Sequence, residues 1–358
     1  MSLSTLGWGD FFAAAFSPFA AARLVPARVS SEHKHACELW SAHGPLHAEC
    51  TGKLLHAANT SADLPAVGDW VAVRIRPGEL HADIHAVLPR RTKFSRRAAG
   101  DEAVEQIVAT NIDIVILVTA LDQNFNLRRI ERYLAVAWES GAQPVVVLNK
   151  ADLHPDPDAA RAEVQTIAPG APVVFLSATR GDGLDTLAPW LLPGRTLALL
   201  GSSGVGKSTL INRLLGRESQ AARAVSAAVG KGRHTTTQRE LFLAPSGAII
   251  MDTPGMRELQ LWDVDDEALD TAFADIAAIS AGCRFRNCQH RAEPGCAIQL
   301  ALEGGTLSFD RWQSYQKLQR ELAYAARKSD PRLERATKAD YKKLNRNLRA
   351  VTRFKQGE

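Results

Sequence analysis

No apolar run in the 358-residue sequence approaches the length of a membrane-spanning helix, so a helical integral membrane protein is not expected. The apolar stretch "FFAAAFSPFAAA" near the N-terminus is preceded by Asp10 and by no Lys or Arg. Secretion signals open on positive charge, so this is a poor one. The expectation is a short docked segment, interrupted before Pro18, and a cytoplasmic location. Cysteines number only five, and three of them fall within residues 283–296. Clustering of that kind in a reducing compartment points to a metal rather than to disulfides. Cys37 and Cys50 lie outside the cluster and read as packing residues. Internal repeats and coiled-coil heptads are also missing, which leaves a monomer as the expected state. Glycine and proline are ordinary, with 46% hydrophobic and 23% charged residues, so wholesale disorder is excluded.

The length allows two or three domains. Net charge is only +4, yet residues 311–358 hold fourteen Lys/Arg against five Asp/Glu. A nearly neutral body with a basic tail fits contact with a polyanion, or else a solvated helical face. Residues 24–95 carry short alternating runs. In "GDWVAVRIR", Val71, Val73 and Ile75 face one way and Arg74 and Arg76 the other. After the turn "RPGEL", "HADIHAVL" is expected to pair back on that strand, giving a small β domain read as a barrel whose type the pattern does not choose. "RRTKFSRR" at 90–97 follows, where cations can neutralise phosphates while Phe94 stacks on a base; a solvated linker is the alternative.

From residue 110 the pattern changes. "IDIVILVTA", "PVVVLNK", "PVVFLSAT", "TLALLGSS" and "GAIIMDT" alternate with helical segments such as "LRRIERYLAVAWES". Continuous apolar strands between helices mean a mostly parallel sheet covered on both faces. Ligands bind such sheets at the carboxyl ends of the strands.

The motifs sit at those ends. Gly201, Ser202, Ser203, Gly204, Val205, Gly206, Lys207 and Ser208 fit GxxxxGK[ST] between a strand and a helix, with Thr209 next. Backbone N–H groups of such a loop cradle phosphates, Lys207 reaches the outer phosphates and Ser208 ligates Mg²⁺. Asp252 in "DTPG" is placed to hold Mg²⁺ through water, and Gly255 to offer an N–H to the γ-phosphate. Asn149, Lys150, Ala151 and Asp152 form NKxD. The Asp152 carboxylate can accept from N1–H and the 2-amino group of guanine, which adenine lacks. Ser177 and Ala178 end the next strand, where a backbone amide can meet the guanine oxygen. In "GRHTTT", Thr236 is the favoured residue to close over Mg²⁺; a plain Ser/Thr-rich loop is the alternative.

The motif order is reversed: NKAD, SA, phosphate loop, TTT, DTPG. Closed into a circle, it is the usual GTPase order, so the domain reads as circularly permuted, its old ends joined through "GLDTLAPWLLPGRT". The segment after Asp252 then leads directly into the C-terminal region, so loss of the γ-phosphate can pull on it.

With "GSSGVGKSTL", "GRHTTT", "DTPGMREL" and "CRFRNCQHRAEPGC" together, the chain resembles the bacterial ribosome small subunit-dependent GTPase A family over nearly its whole length. The resemblance implies an α/β permuted P-loop GTPase domain, an N-terminal OB-fold barrel and a C-terminal helical zinc-binding domain. It implies GTP hydrolysis to GDP stimulated by the 30S subunit, rRNA binding, and late small-subunit maturation near the decoding region. The expected bounds are 1–22 for the docked extension, 23–98 for the barrel, 99–264 for the GTPase domain and 265–358 for the zinc knuckle and basic helices. Met256 stands where many GTPases carry a water-orienting glutamine. His234 is the nearest substitute, the family pattern supports it, and intrinsic turnover is expected to be slow.

Cys283, Cys288, His290 and Cys296 have the spacing C-x4-C-x-H-x5-C. Three thiolates and an imidazole complete a tetrahedral shell with no open position, the signature of structural Zn²⁺. The spacing departs from common zinc fingers but matches the family. Two other readings compete: an RNA-binding GTP switch with negligible turnover, and a permuted GTPase acting on another RNA or on the large subunit.

Overall fold

The computed structural model describes residues 1–33, 36–97, 105–123, 125–217, 239–252, 269, 271–291 and 293–329. Near the N-terminus, α1 (Asp10–Ala20) runs straight through Pro18, where an interruption was expected. Proline cannot donate to the carbonyl four residues back. The Ser17 hydroxyl donates to that carbonyl, on Ala14, at 2.9 Å, so the acceptor is satisfied and the helix continues. Phe12 and Phe16 bury one face of α1 against Trp70, Leu24 and Leu88. Trp8 meets Trp70 edge-on at 4.7 Å between ring centres.

The barrel has five strands: β1 (Val25–Glu32), β2 (Cys37–Ser41), β3 (Gly44–Cys50), β4 (Trp70–Ile75) and β5 (His81–Val87). A short helix α2 (Gly52–Ala57) lies in the β3–β4 connection. The order is β1-β2-β3-β5-β4, and β4 pairs back on β1 to close the ring. Only the β3–β5 pair is parallel. This is a five-stranded OB-type barrel. Val29, Leu39, Leu46, Val71, Val73 and Ile84 fill it. Trp70 and Ala72 point to the opposite side of β4 and are buried too, beneath α1. Alternation alone marked only the inner face; the second face is covered by the N-terminal helix.

A hairpin of β6 (Lys93–Arg97) and β7 (Glu105–Thr110) follows. Here the structure corrects the sequence reading. Phe94 is 2% exposed and belongs to the main core, so it offers no face to a base. Its neighbour Lys93 pairs with Glu105 at 2.8 Å. Arg90 forms a two-point ion pair with the buried Asp69, and Arg91 reaches Asp113 at 3.4 Å. Three cations of the cluster thus have carboxylate partners within the fold.

The expected α/β sheet follows, hydrogen-bonded edge to edge with the barrel. Its strands are β8 (Ile114–Ala120), β9 (Gln143–Asn149), β10 (Val173–Leu176), β11 (Thr196–Leu200), β12 (Glu240–Leu243) and β13 (Ile249–Asp252). The order is β10-β9-β8-β11-β13-β12, parallel except for the edge strand β12. Helices α3 (Leu127–Glu139) and α4 (Pro157–Ile167) cover one face through Ile130, Leu134 and Val164. Helix α5 (Lys207–Leu214) and Leu187 cover the other. Side chains of β8 alternate between them: Val115 and Leu117 to one core, Ile116 and Val118 to the other. Among the described residues one β1–β12 bridge, Ser31 to Glu240, joins this sheet to the barrel.

Helices at Ala274–Ser280, Ala297–Glu303 and Phe309–Ser329 form the C-terminal part. Leu269, Phe273 and Ile276 are buried, as the amphipathic spacing predicts. Among the described residues no helix is long and apolar enough to cross a membrane.

Candidate functional site

Parallel register brings the motif-bearing strand ends to one edge. Asn149, the last residue of β9, lies level with Ala120 of β8 and Leu176 of β10. Leu200, the last residue of β11, is level with Leu117 of β8. The NKxD segment, the SA pair and the phosphate loop therefore leave the sheet side by side.

Asn149 holds the three together. Its Nδ2 donates to the Val205 carbonyl of the phosphate loop at 2.7 Å, and its Oδ1 accepts from the Ala178 N–H at 2.9 Å. The side chain is 2% exposed, so both bonds are made away from water, where they are strongest. Sequence reasoning read Asn149 as part of a base-reading motif; the structure shows it bracing that motif against the loop.

The loop needs its glycines. A Cβ on Gly201 would sit 2.2 Å from the Val118 carbonyl. Gly206 has φ of 99° and touches Asn149 so closely that a Cβ would lie 2.2 Å from Nδ2. Lys207 opens α5, and its ammonium donates to the carbonyls of Gly201 (2.7 Å) and Ser202 (2.6 Å). Ser203, Gly204 and Ser208 are exposed on the rim, while Val205 is buried as the loop's anchor. Thr209 is half-buried in the first turn of α5.

Lys150 takes a left-handed conformation (φ 61°), and its Nζ pairs with Asp122 at 2.7 Å. That turn presents Ala151 and the exposed Asp152 beyond the strand end. Ser177 and Ala178 are buried, and Arg213 of α5 donates to the Ala178 carbonyl at 3.0 Å. Asp252 ends β13, half-buried beside the loop-bearing strand β11. His234, Thr236, Gly255 and Met256 lie outside the described residues, as does the tail from residue 330.

Three supporting residues had no sequence signal of their own. Arg129 on α3 reaches the Ser202 hydroxyl at 3.0 Å. Asp122 and Arg213 orient NKxD and SA as above. Only the fold makes them neighbours: Asp122 lies two residues past the end of β8, Arg129 on α3 and Arg213 on α5.

The metal cluster is also assembled. The ligand atoms of Cys283, Cys288, His290 and Cys296 all lie within 4.8 Å of one another. His290 Nδ1 is 3.5 Å from the sulfurs of both Cys283 and Cys296. A zinc–sulfur bond of about 2.3 Å gives tetrahedral edges of roughly 3.5–3.8 Å, so the donor set fits. Burial pushes the Cys283 thiol up, but N–H donors from Ala297 and Ile298 together with bonds from Cys288 and Cys296 outweigh it and hold the thiol below its ordinary value, while burial pushes its partner Cys288 up to about 11. His290 packs edge-on to Trp312, and Gln299 donates to its carbonyl at 2.6 Å.

A model of the RsgA GTPase family matches residues 87–262. A small ribosomal subunit biogenesis GTPase RsgA of Opitutus terrae is 61% identical over 99% of both chains. This chain belongs to the RsgA GTPase family. Another member, from Syntrophotalea carbinolica, is 45% identical over 97% of this chain and 96% of its own. The crystal structure of YjeQ from Thermotoga maritima superposes with a TM-score of 0.62 at 27% identity, covering 84% of this chain and 98% of that one. YloQ, a circularly permuted GTPase, matches in fold with a TM-score of 0.60. The chain is accordingly a GTP hydrolase with a permuted GTPase domain, and family membership implies GTP, GDP and Mg²⁺ as its ligands.

Proposed function

We propose that this GTPase acts in maturation of the small ribosomal subunit, binding rRNA there and hydrolysing GTP at the Asn149-braced site. The observation that carries this reading is the convergence of the phosphate loop, NKxD and SA on one side chain, Asn149, in a chain whose relatives are named for small-subunit biogenesis. Asp152 reads the guanine edge, and Asn149 holds the Ser177–Ala178 turn beside it through the Ala178 N–H. Lys207 and the N–H groups of 201–208 hold the phosphates. Mg²⁺ would be held by Ser208, Asp252 through water, and Thr236, with Gly255 toward the γ-phosphate, and when bound it would supply positive charge against the transferred phosphoryl group. His234 orients the attacking water where Met256 cannot. Zinc in the Cys283, Cys288, His290 and Cys296 cage braces the C-terminal domain.

The domain bounds 1–22, 23–98, 99–264 and 265–358 follow from the same reading, as do a cytoplasmic location and a monomeric state. The test is GTP turnover with separated subunits. Small subunits accelerate hydrolysis well above the intrinsic rate; large subunits do not. Equal rates with and without either subunit would overturn the proposal and favour a switch without turnover.

A further inference from the structure

A cleft of about 870 Å³ opens between α3 of the GTPase domain and the helix Phe309–Ser329, with the metal knuckle at its end. Its walls are cationic: Arg128, Arg129, Arg132, Arg291, Lys317 and Arg320. Among the described residues Glu131 is the only carboxylate in the lining, neutralised in the floor by Arg311, while Arg128 at the rim pairs with Asp310 at 3.2 Å. Arg291, Lys317 and Arg320 are exposed and have no carboxylate within ion-pair distance among the described residues. At the rim stands Phe309, 64% exposed, an aromatic ring with an uncovered face. Amide side chains of Gln299, Gln313 and Gln316 complete the surface.

We propose that this cleft binds a single-stranded segment of RNA, its phosphates on the Arg132–Lys317–Arg320 wall and a base stacked on Phe309. Closely spaced cations beside an exposed ring are what a flexible nucleic-acid strand recognises, since phosphates supply affinity and any base supplies a face. The exposed Phe309 ring has no use in holding a compact polyphosphate, so the strand is favoured over a free anion. The site rests on the rRNA-binding reading above but names a different place from the barrel. It also touches the nucleotide site: Arg129 lines the cleft and donates to Ser202 of the phosphate loop. A strand bound there is one side chain away from the phosphates.

The experiment uses the full-length zinc-loaded protein and a fluorescein-labelled single-stranded oligoribonucleotide of about 12 nucleotides, followed by anisotropy over a salt series. Tripolyphosphate is the competitor. The triple variant Arg132→Ala, Lys317→Ala, Arg320→Ala should bind at least tenfold more weakly, with a salt slope shallower by about 2. Phe309→Ala should weaken binding by about tenfold with the slope unchanged. Intrinsic GTP turnover of Phe309→Ala should equal that of the parent, which shows the fold intact. Parent-like affinity in both variants overturns the proposal, as does tripolyphosphate displacing the RNA equally from parent and triple variant. Small-subunit stimulation that survives while the cleft binds no RNA overturns the cleft alone. Lost stimulation with normal cleft binding supports the cleft and contradicts the ribosomal reading.

Discussion

Arg28 Nη2 donates to the Thr196 hydroxyl at 2.8 Å, linking the first barrel strand to the strand that carries the phosphate loop. The same guanidinium donates to the carbonyls of Leu6 (2.6 Å), Gly68 (3.3 Å) and Asn111 (3.2 Å). One side chain, 1% exposed, thus joins the N-terminal segment, the barrel and the GTPase sheet. Burial lowers its pKa to about 10, countered in part by Asp113 and Asp69. Arg28→Met should cost about 3–5 kcal/mol, because the Leu6 and Asn111 carbonyls and the Thr196 hydroxyl lose this donor, while the Gly68 carbonyl keeps one from Asn111 Nδ2 at 3.1 Å. Arg28→Lys should recover little, since an ammonium cannot span the fork. Chemical denaturation of the two variants checks this.

Gly206→Ala should abolish guanine-nucleotide binding. The added methyl meets Asn149 Nδ2 at 2.2 Å, and the φ of 99° is strained for any L side chain. Asn149→Ala should also weaken nucleotide binding, by about 2–3 kcal/mol, because it leaves the Val205 carbonyl and Ala178 N–H unpartnered. Combining the two should not rescue Gly206→Ala, because the backbone strain remains. Nucleotide titrations of all three decide it.

Arg311 secures the C-terminal helices to the GTPase domain. It pairs with Glu131 of α3 and, at 2.8 and 3.0 Å, with Asp275, and its guanidinium lies 4.5 Å from the Phe273 ring centre. Arg311→Met should cost about 3–5 kcal/mol at neutral pH by stranding Glu131 in the core. Burial holds the Glu131 pKa above its ordinary value even with Arg311 present. A carboxyl raised on folding binds more protons in the native state, so its ionisation costs stability as pH rises above the unfolded value. In Arg311→Met that cost should grow, making the variant recover stability on mild acidification. Asp275 slopes the other way in the parent. Burial raises it, but the Arg311 bonds and charge outweigh this and hold it low, so its contribution is lost as pH falls through that lowered value. Melting temperatures against pH separate parent from variant.

Chelation should release three thiols and one metal per chain. Cys37 should stay silent to thiol reagents at pH 8, because burial, then the neighbouring Cys50, pushes its pKa up to about 12. Loss of the metal should loosen the His290–Trp312 contact and shift tryptophan emission. Counting reactive thiols before and after chelator tests this.

The motifs were legible because their spacing is itself chemistry. A phosphate loop needs glycines where backbones touch, and a metal shell needs four donors in reach. The parallel sheet showed as continuous apolar runs because both faces are covered. Other features depend on tertiary neighbours. Trp70 is buried on its second face only because α1 lies over it, and Phe94 is buried only because β6 folds onto the main core. Pro18 stays within α1 through one hydroxyl, Ser17, a local bond that a proline-stops-helix rule passes over. Arg129, Asp122 and Arg213 reach the site from separate elements, and no linear pattern joins them.

The most direct measurement is calorimetric titration of the purified chain with GTP and with ATP in Mg²⁺, repeated on Asp152→Asn. The parent should bind GTP and reject ATP by roughly 10⁴-fold, as a site with a carboxylate for two guanine donors requires. Asp152→Asn should lose GTP and gain xanthosine triphosphate, whose 2-carbonyl accepts from the new amide. A parent that prefers ATP, or an Asp152→Asn variant that binds GTP undiminished, would contradict the account.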